Sequence, residues 1–145
     1  MKPVVTGIRH TGIVVANLDD ALSFYQEVLG FRVERRMEEG GAYLSEVLGV
    51  EDVHATTVKM SVPGGGMIEL LYFPDHQKDR LPPEITSLGL THIALSVTDL
   101  DALCADLKER KITFRSDPGV SPDGKVKIAF CQAPDGTWLE LVEEL

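Results

Sequence analysis

The chain repeats itself, and the repeat restricts its fold to something built from two copies of one unit. Residues 8–24 read IRHTGIVVANLDDALSF and residues 90–106 read LTHIALSVTDLDALCAD. Aligning His10 with His92 pairs Gly12 with Ala94, Val15 with Val97, Leu18 with Leu100 and Asp19 with Asp101, with no gap. A second echo closes each half. GMIELL at 66–71 is answered by TWLELV at 137–142, so that Glu69 pairs with Glu140.

Each copy reads as β-α-β-β-β. In the first, residues 8–16 alternate as a strand, with β-branched Ile13, Val14 and Val15. Asn17 or Asp19 caps a helix over 19–29, whose apolar set is Ala21, Leu22, Tyr25, Val28 and Leu29, and Gly30 stops it. Strands follow at 31–36, 55–62 and 67–73, the last two joined by the PGGG turn at 63–66. That glycine run leads into a strand and lacks a following Lys-Ser/Thr, so it is a hairpin turn and not a phosphate loop. Residues 37–54 read as a loop or a short helix where a substrate is contacted.

In the second copy, 91–97 is a strand, and Asp99 or Asp101 caps a helix running to residue 111. Strands are expected at 112–115, 125–132 and 137–142. The modules are thus 1–73 and 90–145, joined by a Pro- and charge-rich linker at 74–89 whose Pro82-Pro83 favours a fixed relation of the halves. A module of about 65 residues is near the size at which a lone core is marginal, so the two should share one core. The fold class is α+β. The apolar sheet faces either pack on each other or join in one curved sheet.

Composition removes several functions. Lys+Arg total 14 against 23 Asp+Glu, a net charge of −9, which argues against nucleic acid and against anionic membrane surfaces. No run of 18 apolar residues occurs, so no spanning helix is expected. The first 20 residues do not read as a signal peptide, and a cytoplasmic location is the expectation. Cys104 and Cys131 form no CxxC pair and read as buried thiols in a reducing compartment.

Four polar residues stand inside the expected strands: His10, Glu69, His92 and Glu140. Glu69 shares a strand face with Met67 and Leu71, and Glu140 with Trp138 and Val142, so both carboxylates are expected to point inward. An unpaired buried carboxylate costs several kcal/mol or becomes protonated, and a divalent cation removes that cost. Gly12 and Ala94, two residues beyond each histidine, leave space above the imidazoles. Taken singly, each of the four is explained by an ordinary hydrogen-bonded or solvated side chain. Two matched pairs in a duplicated module are not, and two imidazoles with two carboxylates suit one divalent ion such as Zn, Ni, Co, Fe or Mn. His54 and His76 have no repeat partner and read as surface residues.

HTGIVVANLDDALSFYQEVLGFRV, IELL, THIALSVTDLDAL and PDGTWLELVE together resemble the vicinal oxygen chelate superfamily over almost the whole chain. That group includes lactoylglutathione lyases, methylmalonyl-CoA epimerases, extradiol dioxygenases, and fosfomycin and bleomycin resistance proteins. The resemblance implies two β-α-β-β-β modules around a central metal cleft, with His10, Glu69, His92 and Glu140 as ligands. It implies a homodimer acting on a small-molecule substrate. A two-His, two-Glu set resembles the lyase and epimerase branch. The implied activity is proton transfer at the carbon next to a carbonyl, through a metal-bound enediolate, with Glu140 as the first choice of base and Glu69 the second.

Departures narrow this. Leu70-Leu71-Tyr72 follows Glu69 where lactoylglutathione lyases typically carry Thr-Tyr-Asn, which sets the chain apart from a glutathione adduct. The second half is closer to the epimerases, yet 45–60 does not match their loop, and Glu46 and Glu51 are the candidates for a second base. The alternatives are an Fe(II) extradiol-type dioxygenase, against which a Glu at 69 counts, and a non-catalytic binding protein of the resistance type, against which all four ligands count.

Overall fold

Two ladders of identical strand order organise the computed structural model, which describes residues 4–79 and 84–145. The chain divides into two units, Met1–Asp79 and Arg80–Leu145. The division falls within the expected linker, and Pro82-Pro83 lie outside the described residues.

The first unit runs β1 (Thr11–Val14), α1 (Leu18–Leu22), a π-helical segment (Ser23–Val28), β2 (Arg32–Gly40), α2 (Ala42–Leu48), β3 (His54–Ser61) and β4 (Met67–Tyr72). Its sheet order is β1-β4-β3-β2, with β1 parallel to β4 and the other pairs antiparallel. The second unit runs β5 (His92–Ser96), α3 (Leu100–Glu109), β6 (Gly119–Val120), β7 (Val126–Gln132) and β8 (Trp138–Glu144). Its order is β5-β8-β7-β6, again with only the first pair parallel. The fold is α+β, two β-α-β-β-β modules, the first carrying α2 as an addition.

The first helix of each unit, α1 and α3, starts where a side chain caps it. The Asn17 carboxamide oxygen accepts the Asp20 N–H at 3.0 Å, and the Asp99 carboxylate accepts the Ala102 N–H at 3.0 Å. These caps are repeat partners, so Asp19 and Asp101 lie inside their helices. The first helix is not α-helical throughout. The Leu29 N–H bonds back to the Phe24 carbonyl at 3.0 Å, five residues earlier. This wider turn ends at Gly30, whose φ of 77° is one a glycine adopts without steric cost. Phe24 and Tyr25 are buried beneath it, their rings edge-to-face at 5.2 Å.

The core of each unit lies between helix and sheet. In the first, Leu18, Ala21, Phe24 and Tyr25 are buried together with Val58 and Met60 of β3 and Ile68 and Leu70 of β4. In the second, Leu100, Cys104 and Leu107 have the spacing of one helical face. They are buried with Ala129 and Cys131 of β7 and Leu139 and Leu141 of β8.

Three expectations need correcting. The strand expected at 8–16 is only Thr11–Val14, so His10 lies just before β1; as the edge strand it has a single neighbour to hold it. The region 37–54, read as a loop or a short helix, does hold a short helix, α2, but its first residues, to Gly40, extend β2. The strand expected at 112–115 is reduced to one bridge, Phe114 to Cys131, and the edge position goes to the two residues of β6. Asp117-Pro118 interrupts any longer ladder there, since proline has no N–H to donate.

Candidate functional site

Each module brings its histidine to its glutamate. His10 Nε2 lies 3.7 Å from Glu69 Oε1, and His92 Nε2 lies 3.3 Å from Glu140 Oε2. The register explains why. In the parallel pair, Gly12 stands opposite Glu69, and Ala94 stands opposite Glu140. Residues two apart share a face. Each histidine therefore reaches its glutamate diagonally, across a residue too small to obstruct it. A Cβ on Gly12 would already meet Leu71 Cδ1 at 3.3 Å.

The carboxylates do not point into the helix-covered cores. On β4 the fully buried row is Ile68 and Leu70, and on β8 it is Leu139 and Leu141. Glu69 and Glu140 occupy the opposite sheet faces, with side chains 13% and 20% exposed; His10 and His92 are 32% and 35% exposed. Both carboxylates are thus largely covered, on the sheet face that the helix does not cover. Both rows of β4 and β8 are apolar around the glutamates, so alternation alone could not say which row the helix covers.

In the second unit, His92 Nδ1 lies 2.9 Å from Thr91 Oγ1, and the imidazole meets the Phe130 ring edge-on at 5.3 Å between centroids. Phe130 is also the antiparallel neighbour of Glu140. In the first unit the corresponding neighbour of Glu69 is Lys59. Thr91, Phe130 and Lys59 were not found from the sequence. Thr91 was legible only as a neighbour of His92, and the other two depend on cross-strand register, which no local pattern carries.

Within neither unit do three of His, Cys, Asp and Glu, among the described residues, gather closely enough to hold a metal ion. The donor chemistry and spacing of each pair do fit part of a site. Two ligand atoms each about 2.0–2.2 Å from one ion, set at right angles to tetrahedral angles, are about 2.8–3.6 Å apart. The His92–Glu140 separation is within that range, and the His10–Glu69 separation is slightly wider.

The other candidates lie elsewhere. Glu46 is exposed on α2. Glu51 lines an open cavity of about 470 Å3 with Ser45, Asp52 and His54. His54 is exposed, but His76 is half-buried, and its Nδ1 is enclosed without a hydrogen-bond partner among the described residues, which corrects its reading as a surface residue. No described helix is long and apolar enough to cross a membrane.

Comparison with known proteins gives consistent results. The family model described as the Glyoxalase/Bleomycin resistance protein/Dioxygenase superfamily matches residues 7–141. A lactoylglutathione lyase of Haemophilus influenzae is 32% identical over 137 residues, covering 94% of this chain and 91% of that protein. A lactoylglutathione lyase of Schizosaccharomyces pombe is 31% identical over 146 residues, covering 94% of this chain, which spans only 47% of that longer protein. The crystal structure of a glyoxalase family protein from Bacillus cereus superposes with a TM-score of 0.89 at 25% identity, covering 99% of this chain and 97% of that one.

Proposed function

The chain belongs to the glyoxalase/bleomycin resistance protein/dioxygenase superfamily, and from that premise we propose that it is a metal-dependent lyase or isomerase. Its reaction is proton transfer at the carbon next to a carbonyl of a small substrate. His10, Glu69, His92 and Glu140 together would hold one divalent ion. The observation that carries this reading is the repetition of one His–Glu pair, at the same register, in both modules.

The chemistry of the second pair supports it further. His92 Nδ1 lies 2.9 Å from the Thr91 hydroxyl, and in the tautomer that carries the proton on Nδ1 the Nε2 lone pair faces a carboxylate oxygen 3.3 Å away. Two electron-rich atoms in that arrangement repel unless a proton or a cation lies between them. A histidine that ligates through one nitrogen usually donates the other N–H in this way. Bound there, a divalent ion supplies Lewis acidity toward the oxygen next to the reacting carbon.

The remaining work falls to the chain's own residues. Glu140 accepts the proton from carbon and returns it, and Glu69 is the second choice. Phe130 holds the His92 ring from its edge and keeps water from that side. The relatives named lactoylglutathione lyase favour a hemithioacetal substrate, formed from a 2-oxoaldehyde and a thiol.

The test is exchange of the substrate α-proton with solvent deuterium, followed by NMR on protein loaded in turn with Zn, Ni, Co and Mn. Exchange or isomerisation is expected for hemithioacetals of methylglyoxal or for a methylmalonyl thioester. Glu140→Gln should lower it by about 10²–10⁴-fold. Oxygen consumption with Fe(II) and a catechol, without exchange, would replace this reading by the dioxygenase. Neither activity would leave a binding protein.

A further inference from the structure

Across the first sheet, register sets four residues in one transverse row: Gly12, Glu69, Lys59 and Arg35. Lys59 and Arg35 are thus neighbours on the face that carries the His10–Glu69 pair. A β-bulge at Glu34 produces this, because the register slips between Val33 and Arg35. Lys59 is half-buried on β3, an interior strand. Like charges directly opposite on adjacent strands destabilise a sheet.

Two acids lie near the pair, Glu69 opposite Lys59 in register and Glu34 at the bulge, and each has another partner. Glu34 accepts the Ser61 hydroxyl at 2.7 Å and lies 3.5 Å from Arg32 Nε. Glu69 is directed at His10. Among the described residues neither Lys59 nor Arg35 makes a side-chain hydrogen bond or an ion pair. The second unit provides the control. The row there is Ala94, Glu140 and Phe130, with the Arg115 N–H bonded to the Phe130 carbonyl. An apolar ring replaces Lys59, and the Arg115 guanidinium is accounted for, 5.0 Å from the Trp138 ring centroid and 3.9 Å from Glu84. Among the described residues, the row beside the glutamate sets two cations side by side in the first module and not in the second.

We propose that Lys59 and Arg35 form an anion subsite that binds a carboxylate group of the substrate, which makes the substrate an anionic carbonyl compound. The placement beside Glu69 rests on the function proposed above, since a Glu69 committed to a cation leaves Lys59 in need of another anion. The cationic pair itself does not depend on that function.

The test uses full-length, metal-stripped protein, so that loss of metal chemistry and loss of this subsite are told apart. Succinate and its uncharged counterpart succinamide are titrated while backbone amide resonances are followed. Succinate should saturate shifts centred on Lys59 and Arg35, and succinamide should not. Lys59→Met and Arg35→Gln should each weaken succinate about tenfold, the loss of one charge-assisted contact. Arg35→Gln, at an exposed position, provides the answer if Lys59→Met fails to fold. Equal response to the two ligands, shifts confined to other lysines and arginines, or undiminished binding by a folded variant would each overturn the proposal. In the metal-loaded protein, a hemithioacetal of 3-mercaptopropionate should then show a higher KM in Lys59→Met, while that of 2-mercaptoethanol is unchanged.

Discussion

Cys131 is fully buried beside Cys104 in the second core. Burial, and to a lesser degree the Cys104 thiol, pushes its pKa up from 9.0 to about 12. Burial also raises Cys104. Between the two Cys131 values the unfolded chain releases a proton that the folded chain keeps. The stabilisation is therefore complete below about pH 9 and is lost as the pH rises toward 12. Urea unfolding should show a midpoint that falls from about pH 9 upward. Cys131→Ala should be less stable at neutral pH because of the cavity, yet show a shallower alkaline decline. Identical slopes in the two proteins would contradict the assignment. Both thiols were legible as buried from the sequence, but their shared core was not. At this scale the repeat located His10 and Glu69, and His92 and Glu140, by symmetry alone. It did not reveal Lys59 or Phe130, because their relation to the glutamates is set by hydrogen bonding between strands distant in sequence.

Elements were more legible at their starts than along their lengths. A cap is a local event: one short polar side chain meets one backbone N–H. The repeat even pairs Asn17 with Asp99, and both do cap. Asn17→Ala and Asp99→Ala should each cost about 1 kcal/mol, read from the midpoint of chemical denaturation. Asp19→Ala and Asp101→Ala, at the rejected cap positions, should not lose a cap hydrogen bond. Asp101 has a separate role, since it accepts a hydrogen bond from Lys127 Nζ at 2.8 Å and raises that lysine's pKa. Its replacement should therefore change stability in a salt-dependent way through the lost Lys127 ion pair, with the cap hydrogen bond intact. The π-helical turn escaped the sequence because apolar spacing at Phe24, Tyr25, Val28 and Leu29 fits several helical pitches over so few residues. α2 stays undecided in the sequence for a different reason. It is only one of two readings of 37–54, and its apolar residues Tyr43, Val47 and Leu48 are exposed rather than packed on a core, so burial does not fix its bounds.

At the scale of the whole chain, duplication is also what makes the proposed metal site testable. His10 and Glu69 are 59 positions apart and His92 and Glu140 only 48, yet the register around each pair is the same. The longer β2 and the added α2 occupy the extra stretch in the first module. Each pair offers two donors, whereas a well-held Zn2+ takes three or four protein ligands. If the pairs supply one ion jointly, equilibrium dialysis should find about one ion per chain. Removal of a ligand from either module should then abolish the whole site: His10→Ala and His92→Ala should each weaken binding by roughly 100-fold or more. The rise in melting temperature on adding metal should vanish in both variants, because a ligand stabilises only the state it binds. Independent pairs would behave otherwise, with up to two weak ions per chain and one surviving in each variant. Those two outcomes separate a shared centre from two fortuitous His–Glu contacts without reference to any substrate.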